Sequence, residues 1–313
     1  MKILSILERL KEPPLNKQYK VFRALDYFWY ILLSYLENIY IRLIPISRLG
    51  LNDTERKCKI IASLTTYPGR IDVVYYAIKS ILHQTMPPDR VILWLSEIQF
   101  PDHRLPDSLV TLKSKGLEIK FTKDDYRSHK KYFYVLQEQK NDELVITFDD
   151  DIIYDPQCIE RAYIKHQQYP KAIVVNQALQ VRFDDEGHIM PFNRWVHPFC
   201  GGTPSFSFIP LTGSGCLYPY NVISPMAFDW DKIQRYALTT DDLWIKFMST
   251  LSDTPIVVTE PRSKIFTTVS FSQNSHLGQI NCIEGQNDKD FASMVEAFPR
   301  VMEKLIKEKS GYE

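Results

Sequence analysis

The sequence carries no excess of either charge: 38 basic and 38 acidic residues cancel over 313 residues. Nucleic-acid binding usually leaves a basic surplus, so that partner is not expected. Glycine is scarce at 11 residues, and neither GxxxxGK[ST] nor GxGxxG occurs. Both patterns cradle phosphates on backbone amides, and their absence argues against a P-loop ATPase or an ordinary dehydrogenase. The five cysteines, Cys58, Cys158, Cys200, Cys216 and Cys282, form no CxxC pair and no cluster with histidine. A zinc site is therefore not expected, and scattered thiols fit a reducing, cytoplasmic compartment. No uncharged run reaches the roughly 20 apolar residues that span a bilayer. The opening MKILSILERLKEPP lacks the apolar core and cleavage site of a secretory signal.

Residues 1–50 read differently from the rest. Tyr27 to Leu36 (YFWYILLSYL) is uncharged and apolar, interrupted by Asp26, Glu37 and Arg42. Val21 to Ile46 predicts one helix with a broad apolar face and Lys or Arg near its ends. Two readings stand: a helix lying in a membrane interface, touching the inner face of the cell membrane through residues 21–46, or one packed on the main domain or another subunit. Residues 51–313 predict one α/β domain. Apolar runs at 58–66, 90–96, 116–122, 143–149 and 171–177 predict strands. Helical patterns fall between them at 71–84, 130–140 and 156–168. Alternation of this kind predicts a mainly parallel central sheet, Rossmann-like, with helices on both faces. Its ligand belongs at the carboxyl ends of the strands. Residues 178–238, rich in proline, glycine and aromatics, break the pattern, and LTGSGCLYP (211–219) reads as flexible backbone near a ligand. A helix at 241–251, a strand at 255–260 and one closing helix at 288–309 follow. Trp195 and Trp230 read either as sugar-stacking rings or as core.

Asp149, Asp150 and Asp151 follow the apolar strand ELVITF. Three adjacent carboxylates repel one another unless something positive sits among them, and hard oxygen donors suit Mg²⁺ or Mn²⁺. The loop Thr65, Thr66, Tyr67, Pro68, Gly69, Arg70 follows the first strand. It reads as a nucleotide cup with Arg70 offering donors, or as an ordinary turn. Lys130 and Lys131 open a helix, where cations oppose the dipole; a bound diphosphate or plain solvation would account for them. Asp241 and Asp242 open another helix in TTDDLWIKF (239–247), where a Thr239–Asp242 capping box is the structural alternative.

ITFDDDIIYDP resembles the DXD region of GT-A glycosyltransferases. IIASLTTYPGRI (60–71) resembles the nucleotide-binding start of family-2-like bacterial members, and TTDDLWIKF resembles their later acidic motif. The resemblance covers residues 58–300 and implies a GT-A fold. It also implies a metal-dependent, inverting hexosyl transfer from a UDP-sugar to a glycan of a capsule, lipopolysaccharide or similar polymer, with a lipid-linked acceptor among the options. Carried over residue by residue, Asp149 and Asp150 face the ribose and donor sugar, and an acid at Asp125 contacts the base. Asp151, with Asp149 and a late His276, holds the metal. Asp242 is the general base, with Asp241 as its backup or an acceptor-binding residue. A metal-dependent nucleotidyltransferase and a non-catalytic sugar-binding protein of the same fold are the alternatives.

Overall fold

The computed structural model describes residue 3 and residues 20–198, 202–259, 266–270 and 279–310. Four strands of near-continuous apolar sequence make one half of the sheet: β1 (Lys59–Thr65), β2 (Arg90–Ser96), β3 (Leu117–Thr122) and β4 (Glu143–Phe148). They run parallel in the order β3-β2-β1-β4. Such runs suit strands covered on both faces, and successive residues here part to opposite sides. Ile60, Ala62 and Leu64 join one core with α2 (Val74–Ile81) and α5 (Cys158–Gln168). Ile61, Ile92 and Val145 join the other, under α4 (Lys130–Gln137) and α7 (Asp241–Leu251). The remaining layer includes α3 (Asp107–Lys113) beside β3.

The other half adds β6 (Ile173–Val175), β9 (Ser214–Tyr218) and β10 (Ile256–Val258), completing the order β10-β6-β9-β4-β1-β2-β3. β9 runs antiparallel to both β4 and β6. Its sequence, SGCLY, lies in the stretch expected to be flexible. It is instead a fully buried central strand, and Gly215 at φ +81 lets it pass where a Cβ would lie 2.6 Å from Cys158 Sγ. Short pairs complete the description: β7 (Ala178–Gln180) with β8 (Phe208–Pro210), and β5 (Ile152–Ile153) with β11 (Thr267–Thr268).

The predicted closing helix is two helices, α8 (Gln286–Ala297) and α9 (Pro299–Ser310). The break falls at Phe298 (φ −132, ψ 64), because proline excludes the helical region from the residue before it. A helix that composition had not marked, α6 (Trp230–Tyr236), starts where the Asp229 carboxylate accepts from the Lys232 amide. The N-terminal helix, α1 (Lys20–Leu43), packs against α2, β5 and β11. Among the described residues no helix is long and apolar enough to cross a membrane.

Candidate active site

β1 and β4 are neighbours, and their parallel carboxyl ends bring the Thr66–Arg70 loop beside Asp149–Asp151. The Thr66 hydroxyl donates to Asp150 Oδ2 at 2.5 Å. The one-turn helix Pro68–Arg70 turns Arg70 inward, its guanidinium 2.8 Å from Asp150 Oδ1 and 3.1 Å from Asp151 Oδ2. The Tyr67 ring lies beside that guanidinium, 5.7 Å from its centre. Arg70 therefore supplies part of the positive charge that three adjacent carboxylates require. Thr65 is spent otherwise: its hydroxyl donates to the Trp94 carbonyl and ties β1 to β2.

Asp149 turns the other way. Its backbone N–H donates to the Tyr154 hydroxyl at 2.7 Å, and that hydroxyl donates to the Gly213 carbonyl at 2.6 Å. A Cβ on Gly213 would fall 1.8 Å from Asp149 Oδ2, so glycine is needed here for close approach. Lys131 then joins the two acidic groups. Its Nζ stands 2.8 Å from Asp149 Oδ1 and 2.8 Å from Asp241 Oδ2, with only 4% of its side chain exposed. Lys130 is buried as well, paired with Asp125. Both lysines had read as solvated or phosphate-bound residues at a helix start; carboxylates compensate them.

At the start of α7 the capping alternative falls away. The N-cap is Thr240, and its side chain makes no capping bond. Thr240 instead donates to Asp290, and Thr239 donates to the Asn281 side-chain oxygen. The two carboxylates converge on Thr212. Its N–H donates to Asp242 Oδ1 at 2.7 Å, while its hydroxyl lies 2.7 Å from Asp241 Oδ2 and 2.6 Å from Asp242 Oδ1. One hydroxyl proton can serve only one of them. Ser128 donates to Asp241 Oδ1 at 2.9 Å. Behind them His129 is fully buried, and burial pushes it down to about 4. It is thus neutral near pH 7, donating to the Ala237 carbonyl (2.9 Å) and accepting from the Tyr132 hydroxyl (2.7 Å).

Charge divides the pair at α7. Burial pushes Asp241 up, but Lys131, His129 and the bonds from Lys131 and Thr212 outweigh it and hold the carboxyl well below the usual range. Burial and then the Asp241 charge push Asp242 up, with Lys131 and Thr212 offsetting only part. Asp242 also keeps part of its surface open, while Asp241 is buried. Asp151 is pushed up to about 7 by burial, Arg70 opposing and the neighbouring Asp149 and Asp150 adding. Such shifted carboxylates gathered in one place make this the candidate active site.

A divalent ion finds suitable donors here. Magnesium is usually held by one or two carboxylates plus substrate phosphates, and Asp151 is a buried carboxylate of the hard-donor kind, beside two further carboxylates. A site made of three protein ligands is a different matter. Among the described residues the one trio of such groups that converges is Asp184, Glu186 and His188, in a turn remote in sequence from β4. His276 lies outside the described residues. Of the tryptophans, Trp195 is core, against Phe192 and Phe291, and Trp230 packs half-buried on Tyr126. Thr212, Ser128 and Tyr154 were not anticipated. Tyr154 lies five residues after Asp149 in IIYDP, Thr212 within LTGSGCLYP and Ser128 two residues before Lys130.

No protein-family model and no curated protein matches the chain. Solved structures resemble it weakly. The 4-diphosphocytidyl-2C-methyl-D-erythritol synthase of Anaerococcus prevotii DSM 20548 is 14% identical with a TM-score of 0.40, over 76% of this chain and 96% of that one. S. aureus TarS 1-349 is also 14% identical with a TM-score of 0.40, over 67% of this chain and 59% of that one. Another 4-diphosphocytidyl-2C-methyl-D-erythritol synthase is 10% identical with a TM-score of 0.39, over 66% of this chain and 91% of that one. Likenesses this distant carry no argument about activity, so the functional reading rests on the site itself.

Proposed function

We propose that the chain is a GT-A-type glycosyltransferase that moves a sugar from a nucleotide-sugar donor, a UDP-sugar in the first instance, to a glycan acceptor hydroxyl with inversion. The observation that carries this reading is the pairing of two unlike carboxylates at α7. Asp241 is locked as an anion by Lys131, and Asp242 is partly open with its pKa raised. A base works best with its pKa near the working pH, and Asp242 is shifted that way. In the proposed reaction Asp242 takes the proton of the acceptor hydroxyl as that oxygen attacks the anomeric carbon. The bond to the nucleoside diphosphate breaks on the opposite face. Thr212 orients Asp242 through its N–H, and Asp241 stays charged beside Lys131.

Thr66, Tyr67, Pro68 and Arg70 hold the nucleotide end, with Asp150 fixed between Thr66 and Arg70. Asp149, set against Gly213, faces the donor sugar. Asp125, on the loop after β3, and Lys130, at the start of α4, are paired and serve the base and phosphates. Mn²⁺ or Mg²⁺, held by Asp151, would supply positive charge to the departing diphosphate. The polymer is a surface glycan such as a capsule or lipopolysaccharide, and peripheral contact of residues 21–46 with the inner membrane face belongs to this reading.

Asp242→Asn is nearly isosteric and tests the assignment. It should keep the melting temperature and donor affinity while kcat falls at least about 100-fold. Near-normal turnover would refute the role of Asp242, and loss in Asp241→Asn alone would move it one residue upstream.

A further inference from the structure

The helix α1 is apolar on two faces, one turned to the core and one to the outside. A helix on a globular protein normally turns its apolar stripe to the core and its polar side chains to water. Here Leu33, Ile41 and Ile44 face the core, and polar residues are turned inward beside them. Glu37 and Asn38 are 0% and 3% exposed. The Thr267 hydroxyl donates to Glu37. Asn38 donates to the Thr268 carbonyl at 3.0 Å and accepts from the Ser270 N–H at 2.8 Å. The Lys79 ammonium closes the helix by donating to the Ile44 carbonyl at 2.9 Å. The outward face is apolar: Phe28, Ile31, Tyr35, Ile39 and Leu43, spaced three and four apart, with Trp29 alongside. Phe28 is 63% exposed, Tyr35 62% and Leu43 74%. Single exposed apolar residues are ordinary, but a contiguous stripe marks an interaction surface.

Charge selects the occupant. Over residues 28–48 the exposed ionic side chains are Arg42 and Arg48, and the single acid of that stretch, Glu37, is buried. A second copy paired on this face about a twofold axis would bring like patches together, gathering arginines with no exposed acid of this stretch to meet them. An anionic headgroup layer gives each arginine a counter-charge and takes the apolar stripe into its acyl boundary. Tryptophan and tyrosine are also the rings that settle at such a boundary.

We propose that α1 docks on an anionic lipid surface through this face. The claim deepens the peripheral contact stated above and rests on it, naming the face and the headgroup charge. The helix also carries the site with it. Asn38 holds the β11 segment, β11 pairs with β5, and the Val269 N–H donates to the Asp151 carbonyl at 2.7 Å. Docking therefore fixes the acidic loop at a set position relative to the membrane, as transfer to a lipid-linked glycan requires.

The test is co-sedimentation of the full chain with vesicles and no donor, so its outcome is independent of the chemistry at Asp242. Binding to phosphatidylcholine vesicles containing phosphatidylglycerol should exceed binding to pure phosphatidylcholine by at least about 10-fold, and salt should weaken it. Phe28→Ser/Tyr35→Ser/Leu43→Ser should lower binding at least about 10-fold. Arg42→Gln/Arg48→Gln, which leaves the apolar stripe whole, should abolish the preference for anionic vesicles. No binding to anionic vesicles by the unaltered chain would overturn the proposal. So would a dimer, stable without lipid, that the triple substitution converts to monomer.

Discussion

Two acidic groups share this site, and they are neutralised in different ways. At the end of β4, three consecutive carboxylates are spread apart. Asp150 and Asp151 go to Arg70 from the loop after β1, and Asp149 goes to Lys131. At the start of α7, two carboxylates point together at one threonine, and a single lysine favours Asp241. The first arrangement offers several partly compensated donors, as binding of a cation or a nucleotide requires. The second makes two neighbours unlike, one permanently charged and one readily protonated, as proton transfer requires. Lys131 contacts both groups and ties one to the other.

Removing that shared residue should have the largest effect on stability. Lys131→Met leaves Asp149 and Asp241 without their cation. Breaking a buried pair costs about 3–5 kcal/mol, and the lower end applies because Asp149 is 40% exposed. Urea denaturation should show a loss of about 3 kcal/mol. A loss below about 1 kcal/mol, the value of a surface pair, would mean that Lys131 does not join the groups. Gly213→Ala should act on one group alone. The new methyl would displace the Asp149 carboxylate, and a shift of about 1 Å can cost about 100-fold in kcat/KM. The pH profile set by Asp242 should keep its shape; a changed profile would show that the two groups are not separable. Arg70→Ala should act more gently. A charge-assisted contact is worth roughly 1.5–3 kcal/mol, so the donor KM should rise about 10-fold with kcat nearly kept. An unchanged donor KM would remove Arg70 from the nucleotide end.

The first group was legible in the sequence and the second only in part, for physical reasons. ELVITF followed by DDD reads plainly, since a buried parallel strand is a continuous apolar run and a carboxylate cluster at its end has few structural uses. TTDDLWIKF left a helix cap and a base equally open, because both use an acid at a helix start; the directions of the Thr239 and Thr240 side chains remove the cap. Lys131 looked like a solvated lysine because burial of a charge depends on partners 18 and 110 residues away along the chain. Thr212 was hidden in a stretch that reads as a loop. Gly213 and Gly215 weaken any strand pattern, yet here they are what allow β9 to lie between β4 and β6 beside Asp149 and Cys158. The apolar run at 27–36 announced a helix, but not that its polar residues would face inward; that orientation depends on β11, more than 200 residues downstream.

The asymmetry within the second group is tested most directly by the pH dependence of kcat in the unaltered chain and in Asp241→Asn. Turnover needs Asp242 ionised, so it should fall as pH drops through the raised Asp242 pKa. That acid limb should therefore lie above the ordinary carboxylate range, about 3.9 for aspartate. The Asp241 charge is one cause of the raised value. Removing that charge while Lys131 remains lowers the Asp242 pKa, and the limb should move to lower pH in Asp241→Asn. A limb that stays in place in Asp241→Asn, or one already at ordinary carboxylate pH in the unaltered chain, would contradict Asp242 as a base tuned by its neighbour.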